Sequence, residues 1–296
     1  MKLSVTTQAI LLMLVAMASF SAMSVTIRLL GEALPSTQIV FMRNVVSLIL
    51  VLCWAAWLQK GLPQFPTTKL RAHFWRATFG ICAMQMWFYS LTIMPVTLAT
   101  ALSYTTPVFS TIIAMLFLGE RAGWRRLSAI FISFIGVWVI LRPDIGGIDE
   151  TATIVLCASM LMAISGVLVK SLTRTELPET IVFYMSLFML LWSALPMITS
   201  WHTFTAHQLL LVCIIALCST IAHLCMTRAF MRTDMVVLMP FDFTRLLFTA
   251  ILAYLLFGET ANDNTWWGAA LIVVATIYIA HREAVIRRKN APQATE

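Results

Sequence analysis

Ala114-Met115-Leu116-Phe117-Leu118-Gly119-Glu120 recurs 139 residues later as Ala253-Tyr254-Leu255-Leu256-Phe257-Gly258-Glu259. Each copy is an apolar run that stops on a Gly-Glu pair. Working outward, Val25-Thr26-Ile27-Arg28 matches Val167-Leu168-Val169-Lys170, and Leu34-Pro35 matches Leu177-Pro178. Ile39-Val40-Phe41 recurs as Ile181-Val182-Phe183, and Trp138 to Arg142 matches Tyr278 to Arg282. The offsets stay between 139 and 143, in chain order. One such match among so many apolar residues is chance. Five in register point to a duplication.

The surroundings of these runs are those of a membrane protein. Of 296 residues, 60% are apolar and 11% charged, against about half and a quarter in soluble proteins. Too few charges remain to cover a water-soluble surface, and disorder is excluded for the same reason. A spanning helix takes about 20 residues. Ten apolar stretches are separable: 8–30, 36–58, 75–93, 95–118, 124–141, 152–170, 179–200, 207–227, 235–257 and 264–281. The first also resembles a signal peptide, with Lys2 ahead of the apolar run and small residues at 18–22. The run continues past them to Leu30, and the repeat uses all of it.

The basic residues orient the chain. With the N-terminus inside, Lys2, Lys60, Lys69, Arg71, Arg76, Arg121, Arg125, Arg126, Lys170, Arg174, Arg228, Arg232, Arg282, Arg287, Arg288 and Lys289 all face the cytoplasm. Arg142 alone falls in an outer loop, and Arg28, Arg43 and Arg245 lie within spans. This asymmetry follows the positive-inside rule and puts both termini in the cytoplasm of a multi-pass inner (plasma) membrane protein. The net charge of +7 then belongs to topology, not to a nucleic-acid surface.

Each repeat holds five spans, so the second enters the membrane inverted. The fold expected is all-α, with ten transmembrane helices in two inverted five-helix repeats. The units are 1–145 and 146–282, followed by a cytoplasmic tail, 283–296. Inverted repeats supply two similar packings, each open to one side, with a site near the midplane.

With its two Gly-Glu endings, Pro107 and Pro240 in the spans before them, Arg43 early in the second span and Arg28 late in the first, the chain resembles the EamA type of the drug/metabolite transporter superfamily. The resemblance covers nearly the whole chain. It implies a carrier without ATP that moves small organic solutes by alternating access. It also implies a cavity lined by spans one, three, four, six, eight and nine, with five and ten peripheral.

Ionisable groups within spans are costly and mark function by default. Asp242 and Arg245 are three apart and share a helix face. They read either as a self-neutralising structural pair or as cavity charges that exchange partners with a substrate. Pro240, just before them, and Pro107 are candidate hinges, since proline removes a helical hydrogen bond. Arg43 lies roughly 6 Å outward from the middle of its span, at 1.5 Å per residue. The second repeat has Met185-Ser186 there. Its structural reading is pairing with helix-end carbonyls or with Asp242. Arg28 is either a snorkelling residue or a gate. Tyr104 and Thr105 on the fourth span, and Gln85, Trp87 and Tyr89 on the third, suit a partly polar cavity with aromatic walls. Ser219, Thr220 and His223 on the eighth, with His223 a proton-site candidate, share this reading. Glu120 and Glu259 read as helix caps.

No cofactor or metal is expected: the six cysteines form no CxxC and no Cys/His ligand spacing. The partners expected are a small-molecule substrate and the bilayer. Small residues at Ala129, Ser133, Gly136, Gly268 and Ala269 fit a homodimer face or packing within one chain. An intramembrane enzyme lacks its motifs (HExxH, GxSxG or paired aspartates), and a pump lacks a P-loop. A channel would lack saturation and counterflow. Among carriers, the mixed charges argue against a purely cationic drug. Riboflavin or S-adenosylmethionine leads, and amino-acid or drug export is the alternative.

Overall fold

The computed structural model describes residues 5–59, 64–106, 108–110, 112–113, 124–141, 150–198, 201–232, 238 and 241–290. Pro107, Gly119, Glu120, Arg142 and Pro240 lie outside the described residues. Among the described residues these helices follow in chain order: α1 Val5–Gly31, α2 Ser36–Gln59, α3 Leu70–Ile93, α4 Val96–Ser103, α5 Trp124–Leu141, α6 Glu150–Leu172, α7 Pro178–Ala194, α8 Ala206–Arg232, α9 Thr244–Phe257 and α10 Asp263–Asn290. A short 3-10 turn, Leu195–Ile198, extends α7. The chain is an all-α multi-pass membrane protein. α1, α2, α6, α7 and α8 are long and apolar enough to cross a bilayer by themselves.

The pairing of helices carries the inverted symmetry. α1 lies along α8 and α6 lies along α3; exchanging the two repeats turns one contact into the other. α2 packs on α7, α4 on α9 and α5 on α10, each pair its own counterpart. Every one of these pairings joins the first repeat to the second. The largest buried cluster accordingly draws residues from both, including Ile27, Phe88, Leu102, Val155, Met185 and Ile215.

Lipid tails are as apolar as leucine, so close packing and hydrogen bonds drive helix association here. α5 and α10 show how. A Cβ placed on Gly136 would come within 2.7 Å of the Gly268 carbonyl oxygen, and one on Gly268 within 2.5 Å of the Gly136 oxygen. The two backbones touch, which only glycine permits. Gly136 and Gly268 are thus used for packing within the chain.

Two expectations are corrected. α3 begins at Leu70 rather than at residue 75. No Gly or Pro interrupts 70–79, and the helix draws His73 and Arg76 into the buried interior. Arg76, expected among the cytoplasm-facing cations at the edge of its span, is therefore an interior residue. Spans four and nine, expected to hinge at Pro107 and Pro240, are interrupted at Tyr104-Thr105 and at Phe243.

Candidate functional site

The breaks are equivalent in the two repeats. After α4 the helix tightens: Tyr104 N–H donates to Ala101 O at 3.2 Å and Thr105 N–H to Leu102 O at 3.1 Å. These are bonds to the third residue back, the 3-10 pattern that marks a locally overwound helix. In span nine, Phe243 interrupts the helix between 242 and 244, and Leu246 N–H donates to Phe243 O at 3.1 Å. Thr105 Oγ1 donates back to Leu102 O at 2.8 Å, and Thr244 Oγ1 to Phe241 O at 2.6 Å. The offset is 139 for both members, the offset of the Gly-Glu endings. Threonine back-bonding of this sort bends helices, so Tyr104-Thr105 and Phe243-Thr244 are one device used twice. The breaks also meet: the Tyr104 and Phe243 rings pack edge to face with centroids 4.9 Å apart. Tyr104 is buried, and its hydroxyl has no hydrogen-bond partner.

Arg245 sits two residues beyond Phe243. Its guanidinium lies between the rings of Phe20 on α1 and Trp87 on α3, 5.5 and 5.2 Å from the centroids. Each such contact is worth about 0.5–2 kcal/mol. Nη2 reaches Ser24 Oγ at 3.4 Å, and Nε has no partner. The backbone is held as well. Ser21 Oγ donates to the Arg245 carbonyl at 2.9 Å and accepts from Thr249 Oγ1 at 3.0 Å. Asp242 lies before the break and Arg245 after it. The broken helix spoils the three-residue spacing that would have paired them, and among the described residues Asp242 forms no ion pair. No direct ion pair joins the two. Both side chains keep partial exposure, and their charges act on each other at longer range.

Arg43 is 1% exposed. Its Nη1 donates to Asn44 Oδ1 at 2.7 Å and contacts Met84 Sδ at 3.4 Å, while Nη2 donates to Ser219 Oγ. It takes neither Asp242 nor a helix-end carbonyl, contrary to expectation. Ser186, at the matching place in the second repeat, is buried with an unpartnered hydroxyl. Arg28 Nη1 donates to Thr92 O at 2.6 Å, closing the end of α3. Glu259 caps α4, accepting from Val96 N–H at 3.3 Å, and Gly258 ends α9 in the left-handed region at φ 66°. The Glu120 counterpart and the two prolines fall outside the described residues.

The structure thus brings Tyr104, Thr105, Trp87, Asp242 and Arg245 to one junction, with Arg43 one helix pair away. Gln85 is half-buried, its Oε1 unpartnered. Tyr89 is 47% exposed, on the outward stripe of α3 with Trp75 and Cys82. His223 packs edge-on to Phe20 at 5.2 Å. The sequence reading missed Phe243 and Thr244. Their signal was available in the 139 offset that equates them with Tyr104-Thr105. Among the described residues no group of His, Cys, Asp and Glu is placed to hold a metal.

A bundle whose two halves exchange helices, and whose broken spans meet at the centre, is the architecture of a carrier. The model of the EamA-like transporter family matches residues 7–142 and again 151–280. The chain belongs to the EamA-like transporter family. It is 27% identical over 270 residues to an S-adenosylmethionine uptake transporter of Rickettsia bellii, covering 91% of this chain and 92% of that one. It is 30% identical over 280 residues to a riboflavin transporter of Brucella anthropi, covering 92% and 98%. One solved crystal structure of a protein superposes with a TM-score of 0.66 at 16% identity, over 96% of this chain and 99% of that one; at that identity it shares the fold alone.

Proposed function

We propose that this EamA-family member is a secondary carrier that moves S-adenosylmethionine or riboflavin across the inner membrane by alternating access, with both termini cytoplasmic. The observation that carries this reading is the meeting of the two helix breaks at Tyr104 and Phe243. Broken helices at a repeat interface offer backbone and side-chain polar groups at depth, and they give each half a point about which to tilt. Asp242 and Arg245 supply charges beside that point, and Trp87 an aromatic wall. Arg43, Thr105 and Gln85 complete the polar lining. The substrate classes are supported by the relatives' names, the orientation by the basic loops.

The test is uptake by purified protein in proteoliposomes, with labelled S-adenosylmethionine and labelled riboflavin supplied separately and no nucleotide present. Saturable uptake with counterflow of one of them is expected. ATP-dependent transport would sink the secondary-carrier reading; flux without saturation or counterflow would make the protein a channel.

A further inference from the structure

Resting on the carrier reading above, we propose that two short straps, residues 64–69 ahead of α3 and 201–205 ahead of α8, are the paired latches of the transport cycle, one for each face of the membrane. Neither stretch is helical, and each fastens onto the other repeat. The Phe65 ring stacks on Phe183 of α7 with centroids 3.9 Å apart and planes 5° from parallel. Tyr184 Oη donates to the Phe65 carbonyl at 3.0 Å, and Thr67 Oγ1 donates to Glu176 Oε1 at 2.8 Å. On the second strap, the buried Gln38 of α2 grips His202 twice. Its Nε2 donates to the His202 carbonyl at 2.7 Å, and its Oε1 accepts from the His202 N–H at 3.0 Å. The Trp201 ring meets Phe41 edge to face at 6.2 Å. Phe41 and Phe183 end the two copies of Ile-Val-Phe, 142 residues apart. The straps therefore land on equivalent places, and inversion puts those places on opposite faces. On the topology proposed above, 64–69 is cytoplasmic and 201–205 external.

A carrier opens one face by parting its halves there while the other face stays shut. Each strap joins the halves at one face, so its contacts are broken in one open state and kept in the other. The net worth of a hydrogen bond is modest, and a stretch without a helical ladder opens before a packed helix does. The straps also reach the site. The first leads into α3, which sets Trp87 against Arg245. The second leads into α8, which sets Ser219 against Arg43. Releasing a strap thus frees the root of a helix that holds a site residue. Both straps are fastened in this structure, as in a state between the two open ones.

Access to the junction from each face tests the latches. A reporter cysteine, Thr105→Cys, is placed in the full-length protein, in right-side-out and in inverted membrane vesicles. A membrane-impermeant maleimide is applied, and label at position 105 is located by peptide mass spectrometry. The ratio of the labelling rate from outside to that from inside follows the ratio of outward-open to inward-open molecules. Gln38→Met keeps the side-chain length and removes both bonds to His202, so the ratio should rise about fivefold or more. Tyr184→Phe keeps the ring and removes one bond, so the ratio should fall about threefold or more. The double variant should return towards the wild-type ratio. General loosening of the fold does not move one ratio in opposite directions. Where Gln38→Met does not purify folded, Trp201→Leu removes the ring contact at the same face and should move the ratio the same way. A ratio that either latch variant leaves unchanged, or that both move in one direction, overturns the inference and leaves the carrier reading standing. Opposite shifts of reversed sense overturn the proposed topology and keep the latches. Label arriving from one face only, or from neither, in every variant overturns the carrier reading as well.

Discussion

Tyr104 and Phe243 are the same residue position of two inverted repeats, and their rings touch with centroids 4.9 Å apart. The pseudo-twofold axis of the protein passes between them. A contact on such an axis belongs equally to both halves, so it is kept whichever half tilts. Truncating either ring removes the contact, and Tyr104→Ala and Phe243→Ala should each cut uptake at least about tenfold. An aromatic pair is worth about 0.5–1.5 kcal/mol beyond its area, so the two losses in Tm should fall short of adding in the double variant. Fully additive losses would separate the rings energetically and refute the shared axis contact. Tyr104→Phe keeps the ring and isolates the unpartnered hydroxyl. Normal transport by it would show that the hydroxyl does not touch substrate.

Arg245 is held by two rings and a serine. Lysine lacks the flat cation that stacks on an aromatic face. Arg245→Lys is expected to lower transport at least about tenfold at unchanged membrane abundance, measured by uptake normalised to immunoblot. Wild-type transport by Arg245→Lys would reduce the residue to a point charge.

Asp242 and Arg245 make no direct ion pair among the described residues, and the reading of both as cavity charges predicts that removing the two together does not restore transport. Asp242→Asn and Arg245→Gln should each abolish uptake, and the double variant should remain inactive. Recovery of near-normal uptake in the double variant would mean that the two charges exist only for each other.

Gly136 and Gly268 admit no side chain. Gly136→Val forces α5 and α10 apart, and overpacking of this kind costs about 1–3 kcal/mol. The Tm of the detergent-purified variant should fall while topology stays intact. An unchanged Tm would show that the two backbones have room.

Topology is open to reporter fusions. Those after Lys60, Arg125, Arg174 and Arg232 should report cytoplasm, and one near Gly147 the other side. A cytoplasmic reading at Gly147 would undo the inverted repeat.

What could be read from the sequence followed from signals that extend over many residues. Span count and inversion needed only the long apolar runs and the Gly-Glu recurrence, which the structure bears out. What was not legible depended on single turns. The Asp242–Arg245 spacing implied a pair only on an unbroken helix. The break at Phe243 coincides with Thr244 bonding back to Phe241, a local choice that no hydropathy pattern records. Arg76 follows Lys69, Arg71 and His73, and in that company it read as one more cytoplasm-facing cation. Its burial depends on where α3 starts, five residues earlier than the apolar run. Tyr89 and Trp87 looked alike in sequence, yet two positions on a helix turn side chains about 200° apart, and only Trp87 faces α9.

The exchange of helices between repeats has a consequence for synthesis. α1 finds its main partner in α8, and α3 in α6, each from the later half of the chain. At about 5–20 residues per second, α8 leaves the ribosome on the order of ten seconds or more after α1. Throughout that delay the first five helices lie in the bilayer with their mating faces uncovered, Arg43 and Arg76 among them. The nascent first half is thus the stage most exposed to quality-control proteases and to wrong neighbours, and a stall between the repeats is the most hazardous place for translation to pause.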